Sequence, residues 1–334
     1  MSDRIKPMKK CLSVLIFAFL SFSTFAVSLD DFSLSVEPIM GIRNGQIDEY
    51  VFLKNSRYSD DKLSELNWEI KNEFYMGFKA HSAWKSFFQE LSFSFAIPKT
   101  SGQMQDSDWL NIEEANQYSY LYKTHYSESD NHLDKDFSFG IKAGYDFKIK
   151  DRFNIKPSFY FEYSNTKFTA KGGTCWYGNK KNANTYYAYY DTANRTITKL
   201  SGSVIDYKRI NYFFWIGSDF SIDLSRNFSL NTGFFFAPYA YVVSYDTHII
   251  RGYEFADLTI DYFSAFKGNL GLSYKIAQRH SISLTAGFFY LKTIRGDSFL
   301  KKSGETYYKS TNSTDGGAGA KWFDLSLSYK FKIF

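Results

Sequence analysis

From Phe32 to the end of the chain, apolar and polar side chains alternate with a period of two, one segment after another. Phe32, Leu34 and Val36 begin the series. Leu66, Trp68, Ile70, Phe74, Met76 and Phe78 follow, then Leu91, Phe93, Phe95 and Ile97. Phe137 to Ile149 and Phe153 to Tyr163 make a pair, as do Tyr212 to Ile222 and Phe228 to Tyr245. Tyr262 to Ile276, Ile282 to Tyr290 and Phe323 to Ile333 close the series. Side chains of an extended chain point to opposite faces in turn, so this pattern describes strands with one apolar face. It predicts about ten strands, an even number that suits a closed bacterial barrel.

The connections alternate in length. Lys150–Arg152, Ser225–Asn227 and Ala277–His280 are short, whereas residues 41–62, 99–135, 166–210, 246–261 and 292–320 are long. The long ones are rich in Tyr, Asn, Lys, Ser and Thr, not Pro, and are expected to be strand extensions capped by loops. The fold expected is all-β: a ten-stranded antiparallel transmembrane β-barrel with long extracellular strand extensions and loops. Composition agrees. The chain has 35 Phe, 27 Tyr and 6 Trp, yet its mean hydropathy is −0.35. A barrel with lipid on one wall and a polar interior reconciles many aromatics with a polar average. A soluble β-sandwich, the competing fold, would not use so many aromatic side chains in its core.

The first residues look like an export signal. Arg4, Lys6, Lys9 and Lys10 precede an apolar run from Cys11 to Leu20, and Thr24 and Ala26 (or Ala26 and Ser28) suit a cleavage site. The run is too short to span a bilayer. Residues 1–26 are expected to be the signal and residues 27–334 a single barrel domain in the bacterial outer membrane. Removing the signal takes away +3 of the chain's +5 charge, leaving about +2, which gives no argument for a nucleic-acid partner. It also leaves Cys175 alone, so no internal disulfide is expected.

Two short patterns carry possible chemistry. Asp106 and Asp108 share one face of an extended segment, and two close carboxylates resist ionising together. Asp246 and His248 are spaced in the same way, and a carboxylate beside an imidazole orients it and raises its basicity. Each pattern alone is more often a solvated surface pair. Both lie at the long-connection end, where separate strand ends can bring them together. His125 is a rival base; His81, His132 and His280 have no metal-site grouping. Counted evenly from Phe228, Asp246 and His248 fall on the outward face. An inward pair therefore needs a register change, for which Pro238 marks a place. Phe334 is also one place out of phase with Tyr329, Phe331 and Ile333.

Across nearly all of residues 27–334 the sequence resembles the omptins, outer-membrane proteases with a ten-stranded barrel. The marks are Lys62–Trp68 (KLSELNW), Gly102–Trp109 (GQMQDSDW), Phe168–Gly173 (FTAKGG), Asp246–His248 (DTH) and Gly317–Gly319 (GAG). The resemblance implies an aspartic-type endopeptidase whose active site faces outside. A water between the two pairs would attack a peptide carbonyl; His248 would take its proton, Asp246 would orient His248, and Asp106 with Asp108 would hold the water and the oxyanion. It also implies cleavage beside basic residues, with Glu49 and a second acid receiving the first of them. Ser244 stands where that second acid is expected, so a weaker or broader basic preference is expected. No cofactor is implied. Lipopolysaccharide would be an activating lipid, but Phe161, Tyr163 and Asn165 stand where Tyr, Glu and Arg are expected. Lys167 or Lys171 could substitute, and an ordinary aromatic belt is the alternative. The partners expected are peptides with basic residues and outer-membrane lipid, around a monomer. The alternative function is a non-catalytic barrel, an adhesin or small porin, which would use Tyr177–Asn194 for contacts.

Overall fold

The computed structural model describes residues 31–54, 61–111, 122–306 and 308–334. The expected export signal, residues 1–26, lies outside the described residues. The strands are β1 (Phe32–Leu53), β2 (Lys62–Trp84), β3 (Phe87–Ala96), β4 (Lys99–Asp108), β5 (His125–Tyr145), β6 (Phe147–Lys150), β7 (Phe153–Gly178), β8 (Arg195–Asp223), β9 (Phe228–His248), β10 (Tyr253–Asp261), β11 (Ala265–Ala277), β12 (His280–Lys302) and β13 (Lys309–Lys332). Three of the barrel's staves are interrupted. β3 and β4 both pair with β2 and β5, β5 and β6 both pair with β7, and β10 and β11 both pair with β9 and β12. Joined across these breaks they make the ring of about ten antiparallel strands, closed where β1 pairs with both β2 and β13. A closed ring leaves no unpaired edge, which is what a strand structure in lipid requires.

The long connections are mostly strand, as their composition suggested. β7 runs on to Gly178, β8 starts at Arg195, and β12 reaches Lys302. The short turns gather at one end of the barrel, beside Phe32 and Lys332; the long extensions stand at the other, here called the upper end. β13 stops at Lys332; Ile333 and Phe334 both direct their N–H to the Leu34 carbonyl, so the regular alternation does not extend to Phe334.

Around the lower and middle wall, Met40, Ile42, Met76, Phe78, Phe93, Phe95, Phe214, Phe234, Leu270 and Leu325 project outward and are exposed, forming an apolar belt. Phe137, Tyr163, Tyr212 and Tyr241 continue it as a row of touching rings, with centroids 5.2 to 5.7 Å apart. Tyr163 is thus one ring of an aromatic girdle.

At the upper rim of this belt the side-chain phase changes. In β2 the even-numbered Met76 and Phe78 face out, whereas the even-numbered Leu66, Trp68 and Ile70 are buried inside. The register slips between Arg43 and Gly45 of the partner strand, and Asn72 has a positive φ of 48°. A bulge at that level, at Asn72, turns the even-numbered apolar alternation from lipid-facing to core-facing. β12 slips likewise between Leu291 and Ile294. In β9, Phe214 of β8 pairs with Tyr239 but Ile216 pairs with Phe236, so Ala237 and Pro238 carry an extra residue. Below that bulge Phe235 and Ala237 join the interior cluster; above it Ala240 and Val242 do, whereas Tyr241 and Val243, also buried, pack in a separate cluster with Tyr212 and Tyr239. The register change that an inward Asp246 and His248 require is present, and it sits at Pro238.

The inverted strands bury a packed layer inside the upper barrel, including Trp68, Phe168, Tyr207, Phe213, Trp215 and Phe289. Trp68 stacks on Tyr207 at 5.0 Å and on Phe168 at 5.8 Å, and Phe289 on Trp322 at 3.9 Å. Beneath it the interior is charged. Lys142 reaches Asp219 at 3.0 Å, Lys267 pairs with Glu162, and a cavity of about 770 Å³ remains. The aromatic layer separates that cavity from the upper end, a filled bore that does not suit a porin.

Trp68 has no exposed surface, so Trp68→Ala should cost about 3–5 kcal/mol. Phe159→Ala, on the outer wall at 70% exposure, should change little in detergent. Thermal unfolding of the refolded barrel, read as loss of heat-modifiable gel migration, checks the contrast.

Candidate active site

Four strands bring acidic groups into the upper barrel above the belt. β4 supplies Asp106 and Asp108, β1 supplies Glu49, β9 supplies Asp246 with His248, and β10 supplies Asp257. Glu49, Asp106, Asp246 and Asp257 are all buried. The Asp106–Asp108 pair is fixed by β2: Leu66 pairs with Asp106 and Ser64 with Asp108, and the Ser64 side chain hydrogen-bonds to Asp108. The KLSELNW motif is therefore the strand that holds this pair. The GAG motif lies against Glu49, whose cross-strand partner is the fully buried Ala318.

His248 Nε2 stands 2.7 Å from Asp246 Oδ2, and the edge of Phe255, with ring centroids 5.7 Å apart, holds the imidazole from β10. This assigns the N–H facing Asp246 to Nε2 and leaves Nδ1 as the free basic nitrogen. Burial works against a charged imidazole here, but the charge and hydrogen bond of Asp246, with help from Asp106, outweigh it and raise the His248 pKa. Burial and then the charge of Asp108 push Asp106 up to about 7, although His248 and Arg251 pull it down. Burial raises Asp108 as well, against the Ser64 hydrogen bond and the charge of Arg251. The two pairs therefore lie within electrostatic reach of each other. Asp106 Oδ1, Asp246 Oδ1, Glu49 Oε2, Asp257 Oδ1 and Ser244 Oγ are buried with no hydrogen-bond partner. Buried polar atoms are normally paired, so this unsatisfied set marks a place built for something that enters it.

The sequence reading placed Asp106, Asp108, Asp246, His248, Glu49 and Ser244 at the upper end, and all six lie there. Two residues escaped it. Arg251, in the tight turn between β9 and β10, donates to Tyr177 Oη at 3.4 Å, and its charge bears on Asp106, Asp108 and His248. Asp257 pairs directly across β9 and β10 with Ser244. Recognising the turn at 249–252 as the tip of a hairpin would have aligned the two. His125, the rival base, is the cross-strand partner of Asp108 but lies between Tyr177 and Tyr186 with Nδ1 on Thr124 Oγ1 at 3.1 Å. Burial, then the charge of Arg251, lowers it to about 4, which makes it a weak base. The Tyr177–Asn194 segment folds down beside it, with Tyr186 N donating to Asn111 Oδ1 at 2.7 Å. Among the described residues no grouping of His, Cys, Asp and Glu could hold a metal ion.

The model of the omptin family matches residues 30–333. The chain belongs to the omptin family. Its structure is similar to the outer membrane protease OmpT from Escherichia coli, with a TM-score of 0.76 at 15% identity over 90% of this chain and 97% of that one. The translocator domain of autotransporter NalP from Neisseria meningitidis matches with a TM-score of 0.31 at 8% identity, over 98% of this chain and 97% of that one. OprG from Pseudomonas aeruginosa matches at 0.35 and 8%, over 90% and 96%. No curated protein sequence matches. As an omptin with this barrel, the protein is an outer-membrane protease.

Replacing Asp246 with Asn should take away the main group opposing burial at His248. The imidazole pKa, above 6.5 in the wild type, should fall below it in the variant, measured by NMR titration of the labelled ring in detergent.

Proposed function

We propose that this omptin is an aspartic-type endopeptidase that hydrolyses peptide bonds beside basic residues, using a water activated between Asp106–Asp108 and Asp246–His248. The observation that supports it best is that the two pairs lie within electrostatic reach of each other, with a buried carboxylate oxygen of each left unpartnered. His248 Nδ1 takes the proton of the attacking water, while Asp246 holds Nε2–H and stabilises the imidazolium that forms. Asp106 and Asp108 share a proton near neutral pH, since both cannot ionise cheaply in a buried site. That shared proton lets one carboxyl donate a hydrogen bond to the developing oxyanion while the other accepts from the water. The tetrahedral intermediate then collapses with proton return from His248 to the leaving amine. No acyl-enzyme forms, and no cofactor enters the sequence.

Glu49, in register with Asp106 through Leu66, receives the basic side chain on the amino side of the cleaved bond. The site opens to the cell exterior, the side on which the long extensions of such barrels stand. Lipopolysaccharide acts, if it binds, on the outer wall near Lys167 and Lys171.

The test is cleavage of an Arg-Lys peptide by the mature chain refolded in detergent, with and without lipopolysaccharide. His248→Ala should lower kcat/KM by about 10²- to 10⁴-fold. Robust cleavage surviving that change would sink the mechanism; no wild-type cleavage in either condition would favour a non-catalytic barrel. Glu49→Gln should reduce the preference for Arg over a neutral residue at that position, and an unchanged preference would remove Glu49 from the pocket.

A further inference from the structure

We propose that Asp257 is the second acid of the pocket that receives the substrate's basic side chain, replacing from β10 the carboxylate that Ser244 lacks on β9. Asp257 and Ser244 are directly paired across the β9–β10 ladder, so their side chains project from the same face at neighbouring points of the wall. Both are buried, and Asp257 Oδ1, Ser244 Oγ and Glu49 Oε2 all lack partners. The charge of Asp257 bears on Glu49, so the two carboxylates lie within electrostatic reach of each other.

Small residues make the room that the Asp257 carboxylate occupies. The path from Asp257 to Glu49 crosses β12 and β13, where Gly296, Gly316 and Ala318 stand. A Cβ on Gly316 would lie 2.1 Å from Asp257 Cγ, so any larger residue there would displace the carboxylate. Arg209, the other cross-strand neighbour of Ser244, is engaged elsewhere. Its guanidinium donates to Tyr207 Oη at 2.8 Å, to the Gly319 carbonyl at 2.7 Å and to the Asp48 carbonyl. It moderates the negative charge without pairing with either acid. Two carboxylates and a hydroxyl, reaching in from different walls, are acceptors spread over the span of a guanidinium fork and exceed what one ammonium needs. The pocket therefore selects Arg over Lys, and Lys over neutral residues, with the strength of a two-acid site.

The inference rests on the endopeptidase reading, so its test has a catalytic arm and a binding arm. In the first, kcat/KM is compared for peptides differing only in Arg, Lys or norleucine before the cleaved bond. Asp257→Asn should lower the Arg-to-norleucine ratio by about 10- to 100-fold, the effect of losing one charged hydrogen bond. Ser244→Asp combined with Asp257→Ser, which returns the acid to β9, should restore most of that ratio. Migration as a folded barrel accompanies each measurement. A folded Asp257→Asn with an unchanged ratio overturns the proposal, and so does failure of the folded double variant to recover. In the second arm, agmatine binding is measured by calorimetry on the wild type and Asp257→Asn. Weaker binding by the variant supports the pocket even where no peptide is cleaved, an outcome that would sink only the protease mechanism. Equal binding, or none by the wild type, overturns the pocket.

Discussion

Closure of the amide ladder is the constraint from which everything else follows. In a bilayer each backbone N–H and C=O has to find a protein partner, and the pairing of β1 with β13 completes that circuit. Because the ladder is made of backbone alone, it is indifferent to what the side chains carry. It can hold Glu49, Asp106, Asp246 and Asp257 close together in a buried space, an arrangement that a fold dependent on side-chain packing could not sustain. The ladder tolerates register slips at several levels, and at the upper rim of the belt the bulges of β2, β9 and β12 reverse which face meets the interior.

That reversal makes two environments from one tube. Through the belt, apolar side chains face lipid and charged pairs such as Lys142–Asp219 fill the centre. Above it, the apolar side chains turn inward to form the Trp68 layer, and the acidic groups stand on this dry floor. The floor explains the electrostatics of the site. Carboxylates on an apolar base, partly offset by His248, Arg209 and Arg251, hold protons more tightly than in water or attract a cationic guest. Both outcomes fit the proposed mechanism, in which a retained proton is a hydrogen-bond donor for the oxyanion and an unpaired charge is a determinant for a basic side chain.

Much of this was legible in the sequence, and the limits are physical. Alternation yields the strands because a period of two is the direct signature of an extended chain, and unequal connection lengths yield the two ends. Asp106, Asp108, Asp246 and His248 stand out because each pair is local, two residues apart. What is not local was harder to read. The even-numbered run from Leu66 to Phe78 resumes in the same phase after Asn72, so the bulge there shows only as one polar residue in an otherwise apolar series that both environments accept. In β9 the same event was detectable, because Asp246 and His248 cannot sit in lipid and Pro238 offered the place. Asp257 and Arg251 belong to the site through a hairpin turn, a relation between strands that no spacing within one strand displays.

The bulge at Pro238 also gives β9 something like a reading frame. Everything between it and the turn at Ile249 is committed, as a block, to one of two faces. Loss or gain of a single residue in that stretch would exchange the interior and exterior sets together, sending Ser244, Asp246 and His248 outward while leaving each of them, and every backbone pairing partner, chemically intact. In such a barrel a site can be erased by counting alone, without altering any residue that belongs to it.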